Sequence, residues 1–304
     1  MSAAAPKIPT GLFAELRQQL AVYGRLMRLD RPIGIWLLLW PTLWGLWIAA
    51  DGKPDQWVFA VFVAGVIVMR SAGCVINDLA DRNFDSQVKR TRNRPMATGQ
   101  VEPTEALMLF AALLMIAIGL VLSLNRLTQL LAVGAVVLTV IYPFCKRFIA
   151  APQLVLGAAF AWSIPMAFAA QLGHIPRLAW LMWLTVVMWA VIYDTMYAMV
   201  DREDDLKLGI KSTAILFGQT DVFIICLLQL ILLLSLFLVG EVAQLGMWFR
   251  LSVLASALLM LYQYTLIRKR EPEQCFRAFL HNRYIGSTIF IGILLSYTFS
   301  LPEG

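Results

Sequence analysis

Nine long apolar segments constrain this chain more than any other feature of its sequence. A helix needs about 20 mostly apolar residues to cross the hydrocarbon core of a bilayer, and nine stretches approach that length. The pattern therefore predicts an all-α, polytopic membrane protein. The predicted spans are 33–50, 57–76, 105–123, 127–142, 152–171, 178–198, 221–240, 245–266 and 284–301.

The composition excludes several other classes of protein. Of the 304 residues, 60% are hydrophobic and only 14% are charged, whereas about 25% of the residues of a soluble domain are charged. An ordinary cytosolic enzyme, a disordered protein and a disulfide-stabilised secreted domain are all incompatible with these values. An outer-membrane barrel would show short alternating segments, whereas the apolar runs here are unbroken.

The basic residues predict how the chain is oriented. Most of the 25 Lys and Arg residues lie on the side that holds the N-terminus, and the opposite loops carry only Lys53, Arg126 and Arg177. Because loops rich in Lys and Arg stay in the cytoplasm, we predict a cytoplasmic segment over 1–32 and one transmembrane domain over 33–304. The net charge of +6 is explained by this bias and by contact with anionic lipid, so no nucleic-acid partner is expected.

Eight of the 19 acidic residues lie in two patches, each at the end of a predicted span. The first patch holds Asp78, Asp81 and Asp85, and the second holds Asp194, Asp201, Glu203, Asp204 and Asp205. Spacings of three, four and seven residues place most of these carboxylates on one face of a helix, where they repel each other. Mg²⁺ prefers oxygen ligands and often shares them with substrate phosphates. The patches predict such a site, although acidic loops in water also occur without a metal.

Basic residues near the patches are candidate ligands for an anionic substrate. Arg70 lies seven residues before Asn77, near the same helix face but two to three turns deeper than Asp81. An arginine at this depth must find a partner, which is either one of the acids or a bound carboxylate or phosphate. The loop candidates, each also explicable as a topology signal, are Arg94, Lys146, Arg147, Lys207 and Lys211.

Four segments resemble a known family, the UbiA-type intramembrane prenyltransferases. RSAGCVINDLADRNFD (70–85) resembles the first aspartate-rich motif of that family, NDxxDxxxD. YDTMYAMVDREDDLKLGIKSTAILFG (193–218) resembles the second motif, DxxxD with its KS-containing continuation. Residues 142–165 and 93–99 are also similar to family segments. The similarity covers roughly 25–300 and is greatest to the family members that prenylate 4-hydroxybenzoate for ubiquinone synthesis.

The resemblance implies nine helices around a central cavity that cytoplasmic loops cap, in a bacterial inner membrane. It implies Mg²⁺ as cofactor, polyprenyl diphosphate as donor and 4-hydroxybenzoate as acceptor. The implied metal ligands are Asp81, Asp85, Asp201 and Asp205. The implied substrate-binding residues are Asn77, Arg94, Lys146, Arg147, Lys207, Lys211 and Tyr197. The hypothesised catalytic residues are Asp194, which draws on the phenol proton, Arg70, which holds the acceptor carboxylate, and Asp78.

Three alternatives remain open at this point. Related enzymes of the haem, menaquinone, tocopherol and chlorophyll pathways prenylate other acceptors. A transporter would also have intramembrane acids and a repeat, such as the possible halves 33–150 and 151–270 before a last helix at 284–301, but its site should lie near the midplane. A CDP-alcohol phosphotransferase would need a DGxxAR-type signature, which this sequence lacks. The sequence indicates no obligate protein partner, and a monomer is expected.

Overall fold

The computed structural model describes residues 11–85, 90–145 and 147–299, and within these ranges the regular structure is helical. Eight helical segments of the described chain are long and apolar enough to cross a membrane, and α2 is a shorter apolar helix. The prediction of an all-α polytopic protein is confirmed. The helices are α1 (Leu12–Leu26), α2 (Ile33–Ala49), α3 (Gln56–Asp85), α4 (Pro103–Leu122), α5 (Arg126–Cys145), α6 (Pro152–Ala161), α7 (Ser163–Leu172), α8 (Arg177–Leu208), α9 (Thr213–Phe217), α10 (Asp221–Val242), α11 (Met247–Ile267) and α12 (Pro272–Thr298).

Two helices are much longer than a bilayer requires. α3 has 30 residues and α8 has 32, so they extend about 45 and 48 Å, whereas the hydrocarbon core is about 30 Å thick. Both project from the same end of the bundle, which we call the charged end and which includes the loops at 27–32, 90–102 and 209–212. The predicted spans 57–76 and 178–198 were too short, because hydropathy falls where the acidic motifs begin while the helices continue.

α8 forms the centre of the bundle and packs against α2, α6, α10 and α12. The Trp189 indole donates to Asn282 Oδ1 at 3.0 Å, and the Trp44 indole donates to the Gly286 carbonyl at 3.1 Å. The two indole rings stack with their centroids 5.3 Å apart. A Cβ atom at Gly286 would approach the Trp189 ring to 2.8 Å. A small residue and satisfied indole N–H groups thus allow α2, α8 and α12 to pack closely, as is usual between membrane helices.

The outer surface of the bundle is apolar. Large side chains are exposed along α4, α5, α10 and α11, where a water-soluble protein would carry charges. We interpret this surface as the part that faces lipid. Representative exposed residues are Met108, Met115, Leu130, Phe223, Leu234, Leu254 and Leu261.

The predicted span 152–171 consists of two helices, α6 and α7, which meet at Trp162. Pro165 lies in the first turn of α7 and has no N–H to continue the hydrogen bonds of α6. The Trp162 indole donates to the Leu131 carbonyl of α5 at 2.8 Å. Its ring covers Gly134, where a Cβ atom would come within 2.9 Å. The break therefore coincides with a close contact between α5 and the α6–α7 pair.

α1 was not among the predicted elements, because its sequence is too polar to read as a span. Val22 and Leu26 are buried against α3 and α4, and Gln19 and Tyr23 donate hydrogen bonds to Glu105 of α4. The bond to Glu105 raises the pKa of the Tyr23 phenol, so that it remains a donor. The predicted division into four-helix halves, 33–150 and 151–270, stays a prediction. α2, which belongs to the first of these halves, packs directly on α7 and α12.

Candidate functional site

A cavity of about 1,030 Å³ lies among α2–α8 and changes character along its length. At the charged end it is lined by acidic and basic side chains from both sequence motifs. Further along, its walls are apolar side chains of α3, α4 and α5, and they continue to Leu124 in the turn between α4 and α5. The cavity can therefore accept a molecule with an anionic head and a long apolar chain. Its apolar walls include Phe62, Val66, Met69, Leu114, Ala117, Val121, Val133 and Val136.

The structure brings most of the predicted site residues together in the lining of this cavity. Arg70, Asn77 and Asp81 share one side of α3 because spacings of seven and four residues return to nearly the same direction on a helix. Asp194, Tyr197, Asp201 and Asp205 of α8 follow the same periodicity. The predicted residues that line the cavity are Arg70, Asn77, Asp81, Arg94, Asp194, Tyr197, Asp201, Asp205 and Lys211.

Asp78 lies behind the cavity wall rather than in it. Its carboxylate is completely buried and accepts from Arg28 at 2.5 Å and from Arg94 at 3.1 Å. Asn77 faces the cavity, and the next residue on a helix points about 100° away. The geometry thus suits Asp78 as a positioning residue for Arg94, which itself lines the cavity. The catalytic role suggested for Asp78 stays a prediction. Arg28, in the turn between α1 and α2, was not predicted.

Arg147 and Lys207 also lie outside the cavity lining. Arg147 donates to the Ala80 carbonyl of α3 at 2.7 Å. Lys207 is 73% exposed, with Asp204 at 3.8 Å. Both of these contacts lie on the outside of the charged end and not in the cavity. Lys146 lies outside the described residues, and Asp85 is the last residue of α3 with a side chain that is not described.

Arg90 is a cavity residue that the sequence analysis missed. Its guanidinium pairs with the Asp201 carboxylate and lies 3.9 Å from the centroid of the Tyr197 ring. One side chain thereby joins the loop after the first motif to the helix that carries the second. The sequence holds little signal for this contact, because the partners are 111 residues apart and Arg90 is one of several basic residues in its loop.

Arg70 is the cationic group deepest in the cavity. Its Nε atom is buried and has no hydrogen-bond partner, and its guanidinium lies 5.8 Å from the centroid of the Phe160 ring. The side chain packs directly over Gly34 of α2, where a Cβ atom would collide with it. Among the described residues, Arg70 forms no ion pair with an acidic side chain, so the alternative of a structural ion pair is not realised there. The unpaired donor therefore suits an anionic group of a bound molecule.

Asp194 faces the same part of the cavity from α8. Its neighbour is Gln153, a buried residue of α6 that the sequence analysis did not single out. Gln153 Oε1 accepts from the Thr213 backbone N–H at 3.0 Å, which turns the amide N–H₂ of Gln153 toward the Asp194 carboxylate. The contact between α6 and α9 thus holds a donor beside this acid.

The donor set at the charged end suits a hard divalent cation. Asn77, Asp81, Asp201 and Asp205 offer oxygen atoms, from two different helices, to one cavity. Within residues 11–85, 90–145 and 147–299, no three carboxylate, imidazole or thiolate side chains are close enough to hold a metal ion by themselves. Mg²⁺ is commonly held by one or two carboxylates together with water and substrate phosphates. The arrangement fits Mg²⁺ bound jointly with a phosphate-bearing molecule.

Comparison with known proteins gives one consistent family. The profile of the UbiA prenyltransferase family matches residues 38–291. A 4-hydroxybenzoate octaprenyltransferase of Aeromonas hydrophila is 58% identical over 275 residues, which cover 90% of this chain and 96% of the relative. A 4-hydroxybenzoate octaprenyltransferase of Saccharophagus degradans is 57% identical over 280 residues, which cover 92% of this chain and 94% of the relative.

Solved structures share the fold at low sequence identity. A UbiA homologue from Aeropyrum pernix K1 has a TM-score of 0.77 and 22% identity, covering 86% of this chain and 97% of the homologue. A UbiA homologue from Archaeoglobus fulgidus, bound to GPP and Mg²⁺, has a TM-score of 0.72 and 19% identity, covering 91% of this chain and 99% of the homologue. At these identities the likeness establishes the helical architecture.

The pairing of Arg28 with Asp78 predicts a loss of stability when it is broken. In Arg28→Gln the buried Asp78 carboxylate loses one charged donor, which should cost about 1–3 kcal/mol and lower the thermal unfolding temperature in detergent. Arg31→Gln is the matched control, because Arg31 is 76% exposed and lies 3.6 Å from Asp30. Equal losses of stability in the two variants would contradict the role assigned to Arg28.

Proposed function

The chain belongs to the UbiA prenyltransferase family, and on this premise we propose that it prenylates 4-hydroxybenzoate. The donor is a polyprenyl diphosphate, the new bond forms at the 3-position of the ring, and diphosphate is released, as a step of ubiquinone biosynthesis. The observation that carries the proposal is the single cavity that joins both acidic motifs, Arg70 and Asp194 to a long apolar passage. The choice of acceptor is supported by the names of relatives at 56–58% identity.

The proposed location is the inner membrane of a bacterium, with the charged end in the cytoplasm. The bias of Lys and Arg toward the loops of the charged end supports this orientation. Residues 33–304 would form one transmembrane domain, and 1–32 would be a cytoplasmic segment. We further propose that the protein acts without an obligate protein partner.

The proposed metal ligands are Asp81, Asp201 and Asp205, with Asn77 beside them and Asp85 as the remaining motif residue. Bound Mg²⁺ would supply positive charge that stabilises the diphosphate leaving group. The chain adds cations of its own at this end, since Arg90, Arg94 and Lys211 line the same part of the cavity. Fixed charges that face the site of developing negative charge lower the barrier without reorganising during the reaction.

The apolar passage would bind the polyprenyl chain and protect the reacting carbon. Ionisation of the allylic C–O bond leaves its electron pair on the diphosphate and a cation on the chain. Water would capture that cation, so the surrounding apolar walls must exclude it. Phe160 and Tyr197 also line the cavity, where their rings lie beside the Arg70 and Arg90 guanidinium groups.

Arg70 and Asp194 are proposed to hold and activate the acceptor. The unpaired Arg70 guanidinium would bind the benzoate carboxylate, for which its planar donors are suited. Asp194 would accept the phenol proton while the ring carbon next to the phenol carbon forms the bond to the prenyl chain. The proton on that ring carbon then leaves to the released diphosphate, and Asp194 returns its proton to the oxygen, which restores the aromatic phenol. Gln153 would keep the Asp194 carboxylate oriented during these proton movements.

The metal assignment predicts that activity depends on Mg²⁺ and on both motifs. Purified protein in detergent with 4-hydroxybenzoate, a short prenyl diphosphate and Mg²⁺ should give prenylated hydroxybenzoate by mass spectrometry, and EDTA should abolish it. Asp81→Ala and Asp201→Ala should each lower kcat by more than about a hundredfold.

Asp204→Ala is the matched control for this experiment, since Asp204 neighbours Asp205 but lies outside the cavity lining. Its activity should stay near that of the unchanged protein. A product that resists EDTA, or that survives both motif variants, would contradict the metal assignment. Intact hydroxybenzoate together with prenylation of another aromatic compound would overturn the proposed acceptor while leaving the reaction class.

The role of Arg70 predicts a specific change in acceptor binding. Arg70→Lys keeps the charge but loses the planar pair of donors, so KM for 4-hydroxybenzoate should rise by about tenfold with little change in KM for the prenyl diphosphate. Arg82→Lys, an exposed position on the same helix, should leave both values unchanged. An unchanged KM for hydroxybenzoate in Arg70→Lys would refute the assignment.

The role of Asp194 predicts a change in turnover rather than in binding. Asp194→Asn preserves the size of the side chain but replaces one acceptor oxygen by an N–H₂ donor and cannot accept a proton, so kcat should fall by about a hundredfold or more. KM for hydroxybenzoate should change much less than kcat. Near-normal kcat in steady-state assays of this variant would show that the carboxylate is not the proton acceptor.

A further inference from the structure

α1 carries an apolar stripe that the protein itself does not cover. Phe13, Leu16 and Leu20 are 89%, 51% and 66% exposed. Their spacings of three and four residues place them on one side of the helix. α1 packs on the protein through a different side, which holds Val22 and Leu26. The helix thus has two apolar surfaces, and the second needs an environment of its own.

The position of α1 identifies that environment. Gln19 and Tyr23 donate to Glu105, which lies in the first turn of α4. The next turn of α4 already exposes Leu107 and Met108, at the start of a membrane span. α1 is therefore fastened at the level where α4 enters the bilayer.

The charges of α1 fit a membrane surface. Arg17 and Gln18 are exposed on the part of the helix that points away from both apolar surfaces. Arg25 is exposed too, but it donates to Gln100 at 2.9 Å and lines the cavity. A helix with an apolar stripe and a basic polar face typically lies in the plane of the interface, about 5–10 Å into the boundary of headgroups and chains. Anionic headgroups would attract Arg17.

We propose that α1 lies in the plane of the membrane with Phe13, Leu16 and Leu20 inserted among lipid chains and Arg17 at anionic headgroups. This anchor sets the height of the turn that follows α1. Arg28 of that turn reaches the buried Asp78 carboxylate. The lipid surface thereby helps to hold the wall of the cavity in place. The inference depends on the membrane-spanning fold and not on which aromatic compound is prenylated.

The experiment uses the full chain in nanodiscs of phosphatidylethanolamine and phosphatidylglycerol. Nitroxide labels are attached to Leu16→Cys, Leu20→Cys and, as the matched control on the polar face, Gln18→Cys. The unsubstituted chain gives the blank, since Cys74, Cys145 and Cys275 are buried and Cys226 is half-buried. Collision of each label with oxygen, which dissolves in lipid, is compared with collision with a water-soluble nickel chelate.

Labels at positions 16 and 20 should collide mainly with oxygen and the label at 18 mainly with the nickel chelate. Preference for the nickel chelate at all three positions would overturn the proposal. Spectral broadening at 16 and 20 that disappears on dilution with unlabelled protein would assign the stripe to a second copy and equally overturn it. In discs of phosphatidylcholine alone, the labels at positions 16 and 20 should lie at a shallower depth in the membrane. An equal depth of these labels in both kinds of disc would refute the part played by anionic headgroups.

Discussion

The rest of the structure depends on pairing carboxylates with arginines where the bundle meets water. The buried Asp78 carboxylate is held by Arg28 and Arg94, and Asp201 is held by Arg90. Two clusters of like charge beside a low-dielectric interior would otherwise be costly. The Arg28–Asp78 and Arg90–Asp201 pairs also join parts of the chain that are 50 and 111 residues apart. Charge balance and the assembly of the cavity wall are therefore achieved by the same contacts.

A third pairing of this kind lies away from the cavity and supports it. Asp221, at the start of α10, is completely buried and accepts from Arg202 of α8 and from Arg270 at 2.9 Å. Arg270 also donates to the Gln219 carbonyl at 2.6 Å. Because Arg202 directly follows Asp201, this cluster fixes the rotation of α8 about its axis. The carboxylates of the second motif are thereby kept toward the cavity, although none of the cluster lines it.

The sequence could predict whatever depends on one helix at a time. Hydropathy located the spans because each must bury its own backbone in lipid, and helical spacing placed Arg70, Asn77 and Asp81 in one direction. The pairing of Arg90 with Asp201 could not be foreseen, because it depends on how two distant segments meet. α1 escaped prediction for a related reason: its sequence is polar and its stability comes from contacts with α3 and α4. The roles of the site residues remain predictions.

The projection of α3 and α8 beyond the hydrocarbon core has a consequence for the supply of substrate. The acidic side chains lie on the part of these helices that extends past a core about 30 Å thick, and the apolar passage of the cavity begins beside them. A polyprenyl diphosphate resting in a membrane already has its charged head and its chain at these two depths. Lifting such a chain into water would cost about 0.8 kcal/mol for every CH₂ group exposed. Encounter can thus proceed by lateral diffusion in two dimensions, with the lipid never leaving its own leaflet.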